Sequence, residues 1–369
     1  MKVALVHPFA WPEVMRGGER YLHDLAWYLR CAGHDVEVVT GTNGSPGVDE
    51  IDGVPIHRYR HRRNRRLTQR GIDAADTFGV AAFAHLVRHR YDLVHALMPT
   101  AAIAARASGH RTIYTDIGHP DRDDMRMRPG SWPLFVAAVR SANRVTALSH
   151  SAARAVTQLT GVVAMGLQPG VRLDRFEPVL TPRSGSPVLL FNSDLSERRK
   201  GLDHLVAAFA RVLQRRPDAR LVLAAPGDHR WALEGLGPAK AAVEAATDVI
   251  GPVPPHALQE YYGRATVTLL PSKFEAFGLV LVESLACGTP VVSTDWGGPT
   301  EIVERDDVGA LVPYGDVDAL AAAVHRVVEL AARPDTPQTC VDHARGWDWA
   351  HAVGPAHETL YASVAKSRA

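Results

Sequence analysis

The chain has 369 residues, 46% of them apolar and 22% charged, with a formal net charge of +1. That length predicts two domains, each large enough to bury its own core. The composition is that of an ordinary soluble globular protein. No apolar run approaches the roughly 20 residues of a membrane span. The first apolar stretch, Val3 to Val6, is too short for a signal-peptide core and reads as a buried strand. Cys31, Cys287 and Cys340 are odd in number and far apart, which suggests neither a disulfide framework nor a cysteine zinc site. A cytoplasmic protein with no nucleic-acid partner is expected.

Charge is uneven along the chain. Residues 1–178 hold 23 Lys+Arg against 17 Asp+Glu, a net +6, and the remainder is −5. Arginines 58, 60, 62, 63, 65, 66 and 70 form one run without an acid, and without them the first half would be −1. The asymmetry is local. The run from Arg58 to Arg70 fits a solvated loop, attachment to an anionic membrane surface, or capture of an anionic acceptor. Tyr59 and Leu67 are its only large apolar residues, so it lacks the stripe of an inserting amphipathic helix.

Strands and helices alternate throughout, which predicts parallel sheets covered on both faces. The first unit is a strand at 2–7, a loop ending Arg16-Gly17-Gly18-Glu19, and a helix from about 19 to 31 with Leu22, Leu25, Ala26 and Leu29 on one face. Gly33 closes it before a strand at 35–40, and further strands are expected at 93–96, 112–115 and 144–148. Gly17 and Gly18 stand at a helix N-terminus, where the backbone can approach a phosphate and free N–H groups favour negative charge. There is no Gly-x-Gly-x-x-Gly fingerprint for a nicotinamide cofactor.

A Pro/Ser/Gly-rich stretch at 178–187 reads as a linker. A second cycle then places strands at 188–191, 220–225, 248–251, 266–270, 291–294 and 309–312. Its helices fall at 202–215, around 237–246, 256–263, just after Gly278, and 316–331. The domains are therefore expected at 1–178 and 187–345, with a last helical segment over 347–369.

The most informative segment is Ser272-Lys-Phe-Glu-Ala-Phe-Gly-Leu-Val-Leu-Val-Glu-Ser-Leu-Ala-Cys-Gly-Thr-Pro290. Gly278 can open a helix whose free N–H groups face an anion. Glu275 then lies in the preceding loop and Glu283 about a turn and a half inside, with about 9 Å of helix between Phe277 and Glu283. That spacing suits a sugar at one end, a ribose at the other and a diphosphate over the helix tip.

This segment, with Leu-Pro-Ser before it and Gly-Thr-Pro-Val-Val-Ser-Thr-Asp and Gly297-Gly-Pro-Thr-Glu-Ile-Val303 after it, resembles the Glu-x7-Glu signature of the family-4 retaining glycosyltransferases. The resemblance implies the α/β GT-B fold, with two Rossmann-like domains whose parallel sheets face a central cleft and a C-terminal helix crossing back to the first domain. Gly170-Val-Arg-Leu-Asp-Arg-Phe176 resembles the turn that closes the first domain. It further implies transfer of a sugar with α retention, without a metal ion, from a nucleotide-diphosphate donor to a hydroxyl acceptor, UDP being favoured weakly over GDP.

The implied donor contacts are Gly17, Gly18, Arg199, Lys200, Val253, Glu275, Phe277, Gly278, Leu279, Val280 and Glu283. Glu275, His119 and Lys200 are the implied catalytic residues. Lys200, in Ser-Glu-Arg-Arg-Lys-Gly201, matches the family's Lys-Gly. The family's arginine six residues earlier is here Asp194, and Arg198 or Arg199 stands in for its charge or the phosphate is held differently. The family's strand-end histidine falls nearer Ile117, so His119 requires a two-residue shift, and Asp116 is the alternative.

Two further patterns resemble metal sites. Asp121-Arg122-Asp123 falls in a polar loop, expected over 121–130, without matching architecture. His85 and His89 stand four apart with no third ligand evident. Neither is read as a metal site. A nucleotide-sugar epimerase and a non-catalytic sugar-nucleotide-binding protein of the same architecture remain alternatives.

Overall fold

The computed structural model describes residues 1–61, 74–127 and 130–366. The chain divides into two compact units. The first comprises Met1–Gly170 with Trp349–Ala369, and the second Val171–Asp348.

The first unit contains strands β1 (Lys2–Val6), β2 (Asp35–Thr42), β3 (Gly47–Ile51), β4 (Val54–Arg60), β5 (Leu93–Ala96), β6 (Thr112–Asp116), β7 (Arg144–Ala147) and β8 (Met165–Gly166). Its helices are α1 (Gly17–Cys31), α2 (Ala74–Leu86), α3 (Pro99–Ala107), α4 (Arg122–Met127), α5 (Ser131–Ser141) and α6 (His150–Thr160). The strands form one sheet in the order β3-β4-β2-β1-β5-β6-β7-β8. Val3, Ala4, Leu5 and Val6 are fully buried, as a central parallel strand covered on both faces requires.

The sheet is not wholly parallel, because β3 pairs antiparallel with β4. The hairpin turns on Asp52 (φ 51°) and Gly53 (φ 73°), both left-handed, the geometry that Asp-Gly supplies to a two-residue turn. Residues 121–130, expected as a loop, include helix α4, whose first turn is tied by Asp121 Oδ1 accepting from the Asp123 amide at 3.0 Å.

The second unit contains β9 (Val188–Phe191), β10 (Arg220–Leu223), β11 (Thr247–Val249), β12 (Val267–Leu270), β13 (Val291–Thr294) and β14 (Gly309–Val312). These form a parallel sheet in the order β11-β10-β9-β12-β13-β14. Its helices are α7 (Leu202–Arg215), α8 (Lys240–Ala245), α9 (Pro255–Arg264), α10 (Leu279–Ala286), α11 (Pro299–Ile302), α12 (Val317–Ala331) and α13 (Thr336–Ala344). Leu205, Phe209 and Val212 of α7 pack with Val324 and Val327 of α12 and the sheet residues Leu189, Leu221 and Leu269.

Residues 178–187, read as a linker, are bound to this unit. The Arg183 guanidinium donates to the carbonyls of Val179, Gly263, Cys287 and Gly288 and to Thr289 Oγ1. The Val179 amide donates to the Cys287 carbonyl at 3.1 Å.

The chain then returns to the first unit through helix α14 (Gly354–Lys366). Trp349 is fully buried there, stacked on Tyr28 and Tyr21 at 5.6 and 6.1 Å. A side chain at Gly170 or Gly354 would collide with this packing. Along α14, His357, Glu358 and Tyr361 hydrogen-bond Tyr21, Tyr28 and His95 respectively. Among the described residues no helix is long and apolar enough to cross a membrane.

Candidate active site

In an open parallel sheet, ligands bind beyond the carboxyl ends of the strands where the strand order reverses. In the second unit that point lies between β9 and β12, which are adjacent in space and 75 residues apart in the chain. The loops leaving these two strands carry Lys200 and Glu275. Lys200 Nζ lies 2.7 Å from Glu275 Oε2, and both side chains are 13% exposed. Ser272 Oγ donates to the same carboxylate oxygen at 3.2 Å. Burial pushes the Glu275 carboxyl up, but the Lys200 and Arg199 charges outweigh it and hold the pKa below the usual value. Glu275 is thus a fixed carboxylate.

The loops reach this arrangement because glycine permits close backbone approach. Gly201 is left-handed (φ 71°) and packs on the Pro271 carbonyl, where a Cβ would collide. Gly297 and Gly298 lie equally close to the backbone of Glu275 and Phe277, and the Gly298 amide donates to the Glu275 carbonyl at 3.0 Å. The Gly-Gly after β13 therefore clamps the carboxylate loop. Phe274, just before Glu275, adopts φ 57°, a costly conformation for an aromatic residue. Its ring rests edge-on against Trp296 at 4.7 Å.

Gly278 (φ 106°) precedes α10, and the first N–H groups of that helix lack intrahelical acceptors. Phe277 is buried, Leu279 and Val280 are half-buried, and Glu283 is 2% exposed. Tyr262 of α9 donates its hydroxyl to Glu283 Oε2 at 2.8 Å. Sequence reasoning did not single out Tyr262, whose only signal was membership of the helix at 256–263. Val253 is half-buried in the loop between β11 and α9.

Asp194, where the family has arginine, shapes its own loop. Its Oδ1 accepts from the Ser196 amide at 2.9 Å. Of the two candidate replacements, Arg198 stacks over the Trp231 ring at 4.7 Å. Arg199 pairs with Glu197 at 3.1 Å and is the one whose charge reaches Glu275.

In the first unit the order reverses between β1 and β5. Gly17 and Gly18 open α1 just after β1. A Cβ on Gly18 would stand 2.7 Å from Ile117 Cδ1, so the helix tip abuts the loop after β6. His119 lies half-buried in that loop, its Nε2 3.4 Å from Ser151 Oγ, and burial lowers its pKa. Asp116, the last residue of β6, is 8% exposed. Its Oδ1 accepts from Tyr114 at 3.2 Å, whereas Oδ2 has no hydrogen-bond partner among the described residues. Burial raises its pKa from 3.8 to about 6.

His85, near the end of α2, and His89 just beyond it gain neighbours that the sequence did not reveal. Glu37, His57 and His85 offer ligand atoms within 4.8 Å of one another. These groups already satisfy each other. Tyr91 donates to Glu37, so it accepts from His85 Nε2, and Tyr59 donates to His85 Nδ1 at 2.7 Å. The Tyr91 hydroxyl bridges the space between His85 and Glu37, and Lys2 pairs with Glu37 at 2.8 Å. We read this as a structural network. Arg58 of the basic run is also internal, 6% exposed and paired with Asp49 and Glu13. Arg60 is exposed, while Arg62, Arg63, Arg65, Arg66 and Arg70 lie outside the described residues.

Two doubly wound units, one with a lysine–carboxylate pair and a glycine-opened helix at its switch point, are the elements of the GT-B fold. The model of Glycosyltransferase Family 4 matches residues 15–175 and that of Glycosyl transferases group 1 matches 186–329. Together they cover most of the chain, which belongs to the family-4 glycosyltransferases. A D-inositol 3-phosphate glycosyltransferase of Kribbella flavida is 33% identical over 57% of this chain and 54% of its own. The chain thus spans about half the length of the first curated relatives it matches. Among solved structures, sucrose-phosphate synthase from Thermosynechococcus elongatus superposes with a TM-score of 0.79 at 22% identity, covering 98% of this chain and 99% of its own. HepE of Anabaena, solved with UDP and glucose, gives 0.73 at 19% over 98% and 100%.

Proposed function

We propose that this glycosyltransferase moves a hexosyl or related sugar from a nucleotide-diphosphate sugar to a hydroxyl acceptor, with retention of α configuration and without a metal ion. The observation that carries the reading is the Lys200–Glu275 pair at the switch point beside the Gly278 helix end. An ammonium has three donors, so Lys200 can hold Glu275 and still stabilise a leaving diphosphate. Two of the roughly four lone-pair directions of Glu275 are used by Lys200 and Ser272. The others are suited to sugar hydroxyls.

The Phe277–Val280 backbone would bind the sugar and the β-phosphate, and Glu283 the ribose. Arg199 and Val253 complete the donor contacts. In the first unit, His119 would touch the transferred sugar, and the Gly17 and Gly18 N–H groups would meet phosphate. Among the described residues no carboxylate is posed as a covalent nucleophile, which favours attack from the leaving-group face, with the departing phosphate oxygen taking the acceptor proton. UDP is favoured because HepE was solved with it.

A thermal-shift screen of UDP- and GDP-sugars is the first test, since a ligand at 100 times its Kd stabilises by about 2.7 kcal/mol. Nucleotide release is then measured with and without polyol and phosphorylated polyol acceptors, in EDTA and in Mg²⁺. Acceptor-dependent release that survives EDTA is expected. Release without transfer, or activity lost on chelation and restored by metal, would refute it.

A further inference from the structure

The Glu283 side chain is nearly inaccessible, yet a ribose-binding role requires it to face one direction. Its neighbours explain how that condition is met. Tyr262, fully buried on α9, donates to Glu283 Oε2 at 2.8 Å. A carboxylate cannot donate, so the single phenolic hydrogen is committed to Glu283. The Tyr262 oxygen must then accept, and Asn192 Nδ2 donates to it at 3.0 Å. Asn192 immediately follows β9, the strand whose loop carries Lys200. The chain Asn192 to Tyr262 to Glu283 therefore has one polarity, running from the switch-point strand across α9 into α10.

We propose that Tyr262, oriented by Asn192, is a positioning residue for nucleotide recognition, holding the Glu283 side chain in the orientation that meets the two ribose hydroxyls. This rests on the donor-binding reading above. A hydrogen bond to a charged group is stronger than a neutral one and shorter, so it fixes geometry. Without the phenol, the buried carboxylate loses a donor and its fixed rotamer, and the ribose contact loosens while phosphate contacts made elsewhere persist.

The test is calorimetric binding of UDP and 2′,3′-dideoxy-UDP, with GDP and its dideoxy analogue in parallel, to the full chain and to Tyr262→Phe. The parent chain binds the ribonucleotide roughly tenfold or more tightly than the dideoxy form, the scale for hydrogen bonds to a charged group. Tyr262→Phe weakens the ribonucleotide by a similar factor and leaves the dideoxy form unchanged, so the preference collapses towards one. Asn192→Leu, at a half-buried site, shifts the preference in the same direction by less and covers the case in which the phenylalanine variant does not fold. Equal weakening of both nucleotides, or an undiminished preference, overturns the positioning role while leaving the donor site intact. If the parent chain binds neither UDP nor GDP, the donor-binding reading fails and this proposal falls with it. If the parent binds but does not discriminate the dideoxy form, the ribose role of Glu283 is refuted instead.

Discussion

Lys200 and Glu275, 75 residues apart, meet at 2.7 Å because β9 and β12 lie side by side at the reversal of strand order. Each neutralises the other where both are mostly buried, so removing either leaves an uncompensated charge. Lys200→Ala is expected to cost about 2–4 kcal/mol of transition-state stabilisation, and also to lower thermal stability. Glu275→Ala should cut kcat by roughly a hundredfold or more through lost contacts to the reacting sugar, whereas Glu283→Ala chiefly raises the donor KM. Steady-state kinetics and melting curves of the three variants check this. Near-parental turnover in Glu275→Ala would remove the site assignment.

Asp116 makes a prediction of opposite sign for stability. Burial lifts its carboxyl from 3.8 to about 6, so the folded chain holds this proton more tightly than the unfolded one. The resulting penalty is absent below the unfolded pKa and complete above the folded one. A shift of about two units corresponds to roughly 3 kcal/mol at most. Asp116→Asn should therefore be more stable than the parent near pH 7.5, with the gain fading as pH falls towards 4. Urea denaturation at both pH values measures it, and a variant less stable at pH 7.5 contradicts the burial argument.

Arg183 joins the segment after Phe176 to the carboxyl ends of α9 and α10 through several carbonyls. A cation there also meets the negative helix ends. Arg183→Ala should destabilise the second unit by about 1–3 kcal/mol, the cost of leaving acceptors without their donor. Hydrogen exchange in 171–348, compared with the rest of the chain, would localise the loss. Uniform protection in both units would show that Arg183 is dispensable.

Arg58 separates a structural from an interfacial role within the basic run. Paired with Asp49 and Glu13, it is expected to cost about 1–3 kcal/mol when replaced by serine, from the buried charge partners left behind. Sedimentation with anionic liposomes at low salt should not change for this variant. A loss of co-sedimentation with unchanged melting would return Arg58 to the surface.

Legibility in the sequence followed the range of the interactions. The helix after Gly278, its glycine start and the strand after Pro290 are local patterns, and the structure has them as α10 and β13. The Gly297-Gly298 string was recognisable, but its purpose was not, since it exists to let the backbone of Glu275 approach from another loop. Lys200 was visible as a motif residue, while its contact with Glu275 depends on strand order, which no periodicity encodes. The β3–β4 hairpin was not among the expected elements, although Asp52-Gly53 is a local turn signal. Helix α2 has no sequence signature, its apolar residues being spread around the helix and not gathered into a stripe. Tyr262 and Asn192 had no pattern of their own, because their importance lies in a hydrogen-bonded chain across three elements.

The return of α14 to the first unit makes that unit discontinuous and the second contiguous. During synthesis, residues 171–348 can complete their fold as soon as they emerge. The earlier-made half waits for Trp349 to fill the space beside Tyr21 and Tyr28, and for His357 and Tyr361 to satisfy buried partners. Vectorial folding is thereby inverted, the later domain maturing first. A ribosome stalled before codon 349 would present a first unit with exposed aromatic surface, a substrate for chaperones and proteases, attached to a finished second unit.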